Sequence, residues 1–210
     1  MKDDSTMGSK QRRERERQEI RQSILSAAQA IAAEEGWQAV TTRKVAERIE
    51  YSQPTIYEYF ENKQAILLAL LHYGYERMCQ TMQQAAESTA NPEERLLAIS
   101  DAYWNFAFTS PELYQVMHGL QGVVFGQPET PPEAKQTFAL MRENVMSWAE
   151  ATNTNLPYPD DAVDALWGVV HGLTILAMDG RIAQGRARAR QILLRTIRHL
   201  LVAWKEFPDV

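Results

Sequence analysis

The amino-acid sequence predicts an all-α protein, a three-helix head continuous with a larger helical body, about nine helices in all. Three observations carry this. Apolar residues recur at helical spacing along nearly the whole chain. Polar cap residues followed by prolines punctuate that periodicity. No stretch shows the apolar–polar alternation of a half-buried strand. With 210 residues, 45% of them hydrophobic and 23% charged, the chain is long enough to bury a core.

Residues 1–18 read as a flexible basic arm: MKDDSTMGSKQ is small and polar, and KQRRERERQEIR (10–21) holds six basic and three acidic residues. Ile20, Ile24, Ala27, Ala28 and Ile31 then form one stripe of an amphipathic helix, and Gly36 supplies its stop. Thr41 or Thr42 caps a short helix over 42–49, with Val45, Ala46 and Ile49 facing inward. Ser52 caps the next, over 53–60, with Pro54 in its first turn, where a missing N–H costs little. Asn62 caps a longer helix from Lys63 to about Ala86.

Asn91-Pro92 and Ser110-Pro111 open helices near 92–108 and 111–120. GQPETPPE (126–133) is a loop, a helix follows over about 133–151, and NTNLPYPDD (153–161) is the next break. Two helices, about 160–183 and 186–206, complete the chain. The expected organisation is an arm (1–18), a head (19–65) and a body (66–210), joined inside the fourth helix without a linker.

Composition narrows the function classes. Cys79 is the only cysteine, which excludes an internal disulfide and suits a reducing compartment. The N-terminal residues contain no apolar signal segment, and the longest apolar run, LWGVVHGLTILAM (166–178), is 13 residues. A cytoplasmic protein without membrane contact is expected. His72, His118, His171 and His199 are scattered with no metal-ligand spacing, and no phosphate loop or nucleophile elbow occurs. No catalytic residue, metal or cofactor is therefore expected. The net charge of −5 sits in the body; residues 1–65 balance 11 basic against 11 acidic side chains.

The helices at 42–49 and 53–60 are so closely joined that they form a helix-turn-helix, whose second member enters the DNA major groove. The stretch SQPTIYEYFENK (52–63) fits that role. Gln reads adenine, Thr offers a hydroxyl and a methyl, and Tyr hydroxyls reach phosphate. TTRKVAERIEYSQPTIYEYFENKQAILLAL (41–70) resembles the DNA-binding region of the TetR family of bacterial transcriptional repressors. The likeness lies in the order and spacing of TTRKVA, QPTIY, Phe60 and Asn62-Lys63.

The resemblance implies that Thr42 and Arg43 touch the backbone or a base, that Gln53, Pro54 and Thr55 face bases, and that Tyr57, Tyr59 and Lys63 meet phosphates. Ile56 and Phe60, at i and i+4, hold the recognition helix to the core. Family members usually carry glycine in the turn where this chain has Glu50. A left-handed Glu50 would cost about 1 kcal/mol relative to glycine.

In the body, Leu193, Ile197, Leu200, Leu201 and Trp204 stripe the last helix, and Leu166, Val169, Val170, Leu173 and Ala177 the one before it. Trp167, His171, Thr174 and Met178 add a second face, more apolar surface than one body buries. The resemblance implies a homodimer through about 160–206, formed as a four-helix bundle. Trp167, His171 and Gly172 also resemble the Trp-His-Gly motif of one C-terminal subtype, with Gly172 admitting a close neighbour. A small, mainly apolar effector is expected, with Tyr103, Trp104, Phe108, Met117, Met141, Trp148, Trp167 and His171 as candidate contacts.

The sequence thus predicts a homodimeric, effector-released repressor of a palindromic double-stranded operator. Two alternatives are a small helical enzyme using the aromatic cavity with His171 as acid or base, and a helical protein-interaction module without DNA binding.

Overall fold

The computed structural model describes the backbone of residues 4–207 and the side chains of residues 10–207. Among these residues there is no strand. The helices are α1 (Asp4–Glu35), α2 (Thr42–Arg48), α3 (Gln53–Tyr57), α4 (Lys63–Glu87), α5 (Pro92–Thr109), α6 (Pro111–Gly119), α7 (Pro132–Thr152), α8 (Pro159–Met178) and α9 (Gly185–Glu206). A 3₁₀ turn, Trp37–Ala39, follows α1. The chain divides into two compact units. The first runs to Leu71 and takes in Gln115–Leu120; the second comprises His72–Tyr114 and the chain from Gln121 onward. The expected division after residue 65 falls earlier in the same helix, α4.

In the first unit, Ile24, Ala28 and Ile31 are fully buried along α1, joined by Val40, Val45, Ile56, Ile66 and Leu70. Ile20, at the start of the predicted stripe, is half-exposed. The expected arm differs from its description: residues 4–18 belong to α1 and are helical, while residues 1–3 lie outside the described residues. No proline and no glycine occurs between Ser9 and Glu35, and same-face pairs such as Arg12–Glu16 (3.5 Å) and Gln18–Glu14 (3.1 Å) support the helix. Two ion pairs tie α2 to the end of α1. Arg48 forks onto Glu34 at 2.7 and 2.5 Å, and Lys44 meets Glu35.

The second unit is built around α5, which packs against α7, α8 and α9. Trp104, Met141, Trp148, Val163, Leu166, Val170, Leu193 and Ile197 are buried there. Asn91 caps α5 by accepting from Glu93 N (2.9 Å) and Glu94 N (3.1 Å), as the Asn-Pro pair predicts. α8 stops at Met178, short of the expected residue 183. Gly180, at φ 68°, lets Arg181 N donate back to Leu176 O at 2.9 Å, which closes the helix.

The 20 residues of α8 are, by length and composition alone, enough to cross a membrane, which the 13-residue apolar run understates. It is one helix, it begins with Asp160, Asp161 and Asp164, and it packs on α7 and α9.

Candidate nucleic-acid interface

The turn between α2 and α3 is fixed by backbone bonds. Thr41 caps α2, its hydroxyl accepting from Lys44 N at 3.1 Å. The helix then ends with Tyr51 N donating to Ala46 O (3.0 Å) and Glu50 N to Glu47 O (3.3 Å). This reciprocal pair requires a left-handed residue between the helix and Tyr51. Glu50 takes that place at φ 59°, where the family resemblance has glycine. Ser52 then caps α3 by accepting from Thr55 N at 3.4 Å, and its hydroxyl meets Thr55 Oγ1 at 2.8 Å.

α3 is shorter than the expected 53–60. It ends at Tyr57, and Glu58 and Tyr59 continue as a turn. Ile56 (0% exposed) and Phe60 (5%) nevertheless face the core, so the short helix is held from one side. The guanidinium of Arg21 lies 5.0 Å from the Phe60 ring centroid and ties α1 to the same end.

The other side of α3 is open. Tyr57 is half-exposed, Pro54 is exposed, and Gln53, Thr55 and Tyr59 are partly so. Two of these residues, Gln53 and Tyr57, interlock with Thr42 of α2. Gln53 Nε2 donates to Thr42 Oγ1 at 3.1 Å and to Tyr57 OH at 3.3 Å, and Thr42 Oγ1 lies 3.3 Å from Tyr57 OH. The network pre-orders an amide and two hydroxyls across α2 and α3, lowering the entropy lost when they meet a partner. Arg43 is exposed and pairs with Glu47 at 2.9 Å, a weak surface pair that a phosphate can replace.

Lys63 does more than its sequence position suggests. Its ammonium donates to the Trp37 carbonyl at 2.8 Å, bracing the turn after α1. An ammonium has three protons, so this bond leaves others for solvent or phosphate. Nothing in the sequence pattern signals a bond between residues so far apart in the chain.

In the second unit the structure gathers part of the expected effector set. Tyr103 OH and Tyr114 OH lie 3.0 and 2.7 Å from His171 Nδ1 and 3.0 Å from each other. The Trp167 ring stands edge-on to Tyr103, centroids 5.3 Å apart. Burial raises the pKa of both tyrosines and lowers that of His171. The group is therefore a neutral donor–acceptor cluster. Tyr114 is central to it.

The Trp104 and Phe108 rings are tilted 45° to each other with centroids 4.8 Å apart, and Arg186 covers Phe108 at 4.0 Å. Trp148 and Met141 are packed core, and Met117 belongs to the first unit. Gly172 does not admit a close neighbour in the protomer: a Cβ there would meet nothing within 4 Å, and the same holds at Gly168.

A short, anchored helix that presents a pre-ordered polar face, reached through a tight turn and followed by a helical body, defines a DNA-binding transcriptional regulator. Residues 24–70 match the family model described as bacterial regulatory proteins, tetR family. Residues 96–200, half of the chain, match the tetracyclin repressor-like C-terminal domain. The chain belongs to the TetR family. The C-terminal description does not confirm the Trp-His-Gly subtype.

The HTH-type transcriptional repressor KstR of Mycolicibacterium smegmatis is 38% identical over 93 residues, covering 44% of this chain and 43% of that protein. The transcriptional activator FasR of the same species is 27% identical over 101 residues, 48% and 46% of the two chains. The matches thus span less than half the length of these relatives. Among solved structures, a Rhodococcus sp. RHA1 protein of unknown function superposes with TM-score 0.78 at 19% identity, over 89% of this chain and 95% of that one. The TetR family regulator PfmR of Thermus thermophilus gives 0.64 at 18% identity, over 85% and 97%. At such identities these two show the fold alone. The named relatives are transcriptional regulators, not enzymes.

Proposed function

We propose that the protein is a cytoplasmic, homodimeric repressor that binds a two-fold-symmetric operator and leaves it when a small, mainly apolar effector occupies the body. The observation that carries the DNA half is the partly exposed Thr42–Gln53–Tyr57 network across α2 and α3, with α3 anchored from behind by Ile56. Gln53, Pro54 and Thr55 face base edges; Thr42 and Arg43 touch the backbone or a base; Tyr57, Tyr59 and Lys63 meet phosphates. Two-fold symmetry places the recognition helices in successive major grooves, about 34–36 Å apart.

The open side of α8 and α9 supports dimerisation through about 160–206. Gly168 and Gly172 leave room for a partner backbone, and Leu176 and Val202 are 40% and 53% exposed. For the effector we assign Tyr103, Tyr114, Trp167 and His171 as contacts, a polar point in an apolar setting. Effector and operator then antagonise each other by the same factor in both directions.

Selection of duplexes from a random pool tests this reading. A two-fold-symmetric site is the expected product, bound by a dimer in sedimentation. Recovery of no preferred sequence, with no retention of DNA at low salt, would leave a helical interaction module in its place.

A further inference from the structure

The exposed half of α1 lies beyond the residues that pack the head, and its charges are not evenly spread. Lys10, Arg13, Arg17 and Arg21 follow one another at i, i+3, i+7 and i+11, a single row along one side of the helix. That row continues into Ile24, Ala28 and Ile31, which are buried in the head. It therefore runs along the side of α1 that faces the turn after α3, and Arg21 fixes the register by sitting over Phe60. Ahead of Arg21, a groove is lined by Arg13, Glu16, Arg17, Ile20, Glu58 and Tyr59, so two guanidiniums border the turn that ends the recognition helix. Among the described residues, Lys10, Arg13 and Arg17 have no carboxylate partner, while Arg12, on another side, pairs with Glu16.

We infer that Lys10, Arg13 and Arg17 form a second DNA contact that grips phosphates flanking the recognition helix and lengthens the footprint. This rests on the DNA-binding reading above. From Lys10 to Arg17 the helix rises about 10 Å. One strand presents a phosphate about every 3.4 Å of axis, so the row can meet two or three. The groove carboxylates of Glu16 and Glu58 limit attraction to the row itself, which makes the contact positional and not a matter of net charge. Phosphate contacts carry no sequence information, so the row adds affinity without altering preference.

The test compares two double variants of equal charge in the full chain, on a 40-base-pair duplex selected from a random pool by the unaltered protein. Arg13→Gln with Arg17→Gln removes the row; Arg12→Gln with Arg15→Gln removes two arginines from the remaining faces. Gln keeps the helix propensity, and circular dichroism checks it. The row variant is expected to lower the slope of log affinity against log salt by about 0.9 per lost contact, about 1.8 per protomer. Affinity near 0.1 M salt then falls roughly tenfold or more, with the preferred sequence unchanged. Equal losses in both variants, or no loss in either, overturn the inference. Failure of the unaltered protein to bind any duplex overturns the DNA-binding reading instead.

Discussion

Replacing Glu50 by glycine should make the protein more stable, and the gain can be worked from the turn. Glu50 sits at φ 59°, a conformation that costs a residue with a Cβ about 1–2 kcal/mol. Its side chain is exposed and, among the described residues, makes no ion pair, so its removal forfeits no contact. Glycine gives back about 0.4–1 kcal/mol by widening the unfolded ensemble. The net gain is about 0.5–1 kcal/mol, or a rise in Tm of about 1–4 °C for a chain of this size. Thermal and urea unfolding followed by far-UV circular dichroism read it, with an unchanged urea dependence showing that unfolding exposes the same surface. Glu50→Ala is the control: it removes the charge and keeps the Cβ, so it should not stabilise. Equal gains in both variants would assign the effect to charge, and no gain with glycine would refute the strain argument.

Ile56 is the one buried residue of α3, so Ile56→Ala should cost about 2–5 kcal/mol in urea unfolding and loosen the recognition helix, lowering operator affinity. His171 should give stability a pH dependence. Its pKa is lowered by burial, so below the ordinary value of about 6.5 the unfolded chain takes up the proton first. Stability should hold above that pH and fall as pH drops through the folded value. In His171→Gln the decline from this group should vanish, and an identical Tm-against-pH curve would exclude it.

Helix starts were legible because capping is local: Thr41, Ser52, Asn62 and Asn91 each cap where their sequence context places them. Helix ends were less so. The stop of α8 depends on Gly180 adopting positive φ, and a periodic apolar pattern runs through it without a break. α3 ends early although Phe60 keeps the helical spacing from Ile56. The helical run ahead of Ile20 was hidden because residues 10–18 are polar on every side, leaving same-face pairs as the only signal.

At the site, the outward residues of α3 followed from their type, polar tips where a plain surface would carry Lys and Glu. The bond from Lys63 to Trp37 and the meeting of Tyr103, Tyr114 and His171 join residues distant in sequence, which spacing cannot reveal. The open face at Gly172, which meets no neighbour within the protomer, is hidden from the sequence for the same reason. A glycine in a helix permits close approach, and whether the neighbour is present is a tertiary fact.

The central claim is that the face of α3 bearing Gln53 and Tyr57 reads a duplex. Equilibrium binding of Gln53→Ala to every single-base variant of the selected site tests it most directly. Preference is expected to relax by about 1–3 kcal/mol at one position in each half-site and to be retained elsewhere. An unchanged preference at every position, in a variant that folds and binds as the unaltered protein does, would contradict it.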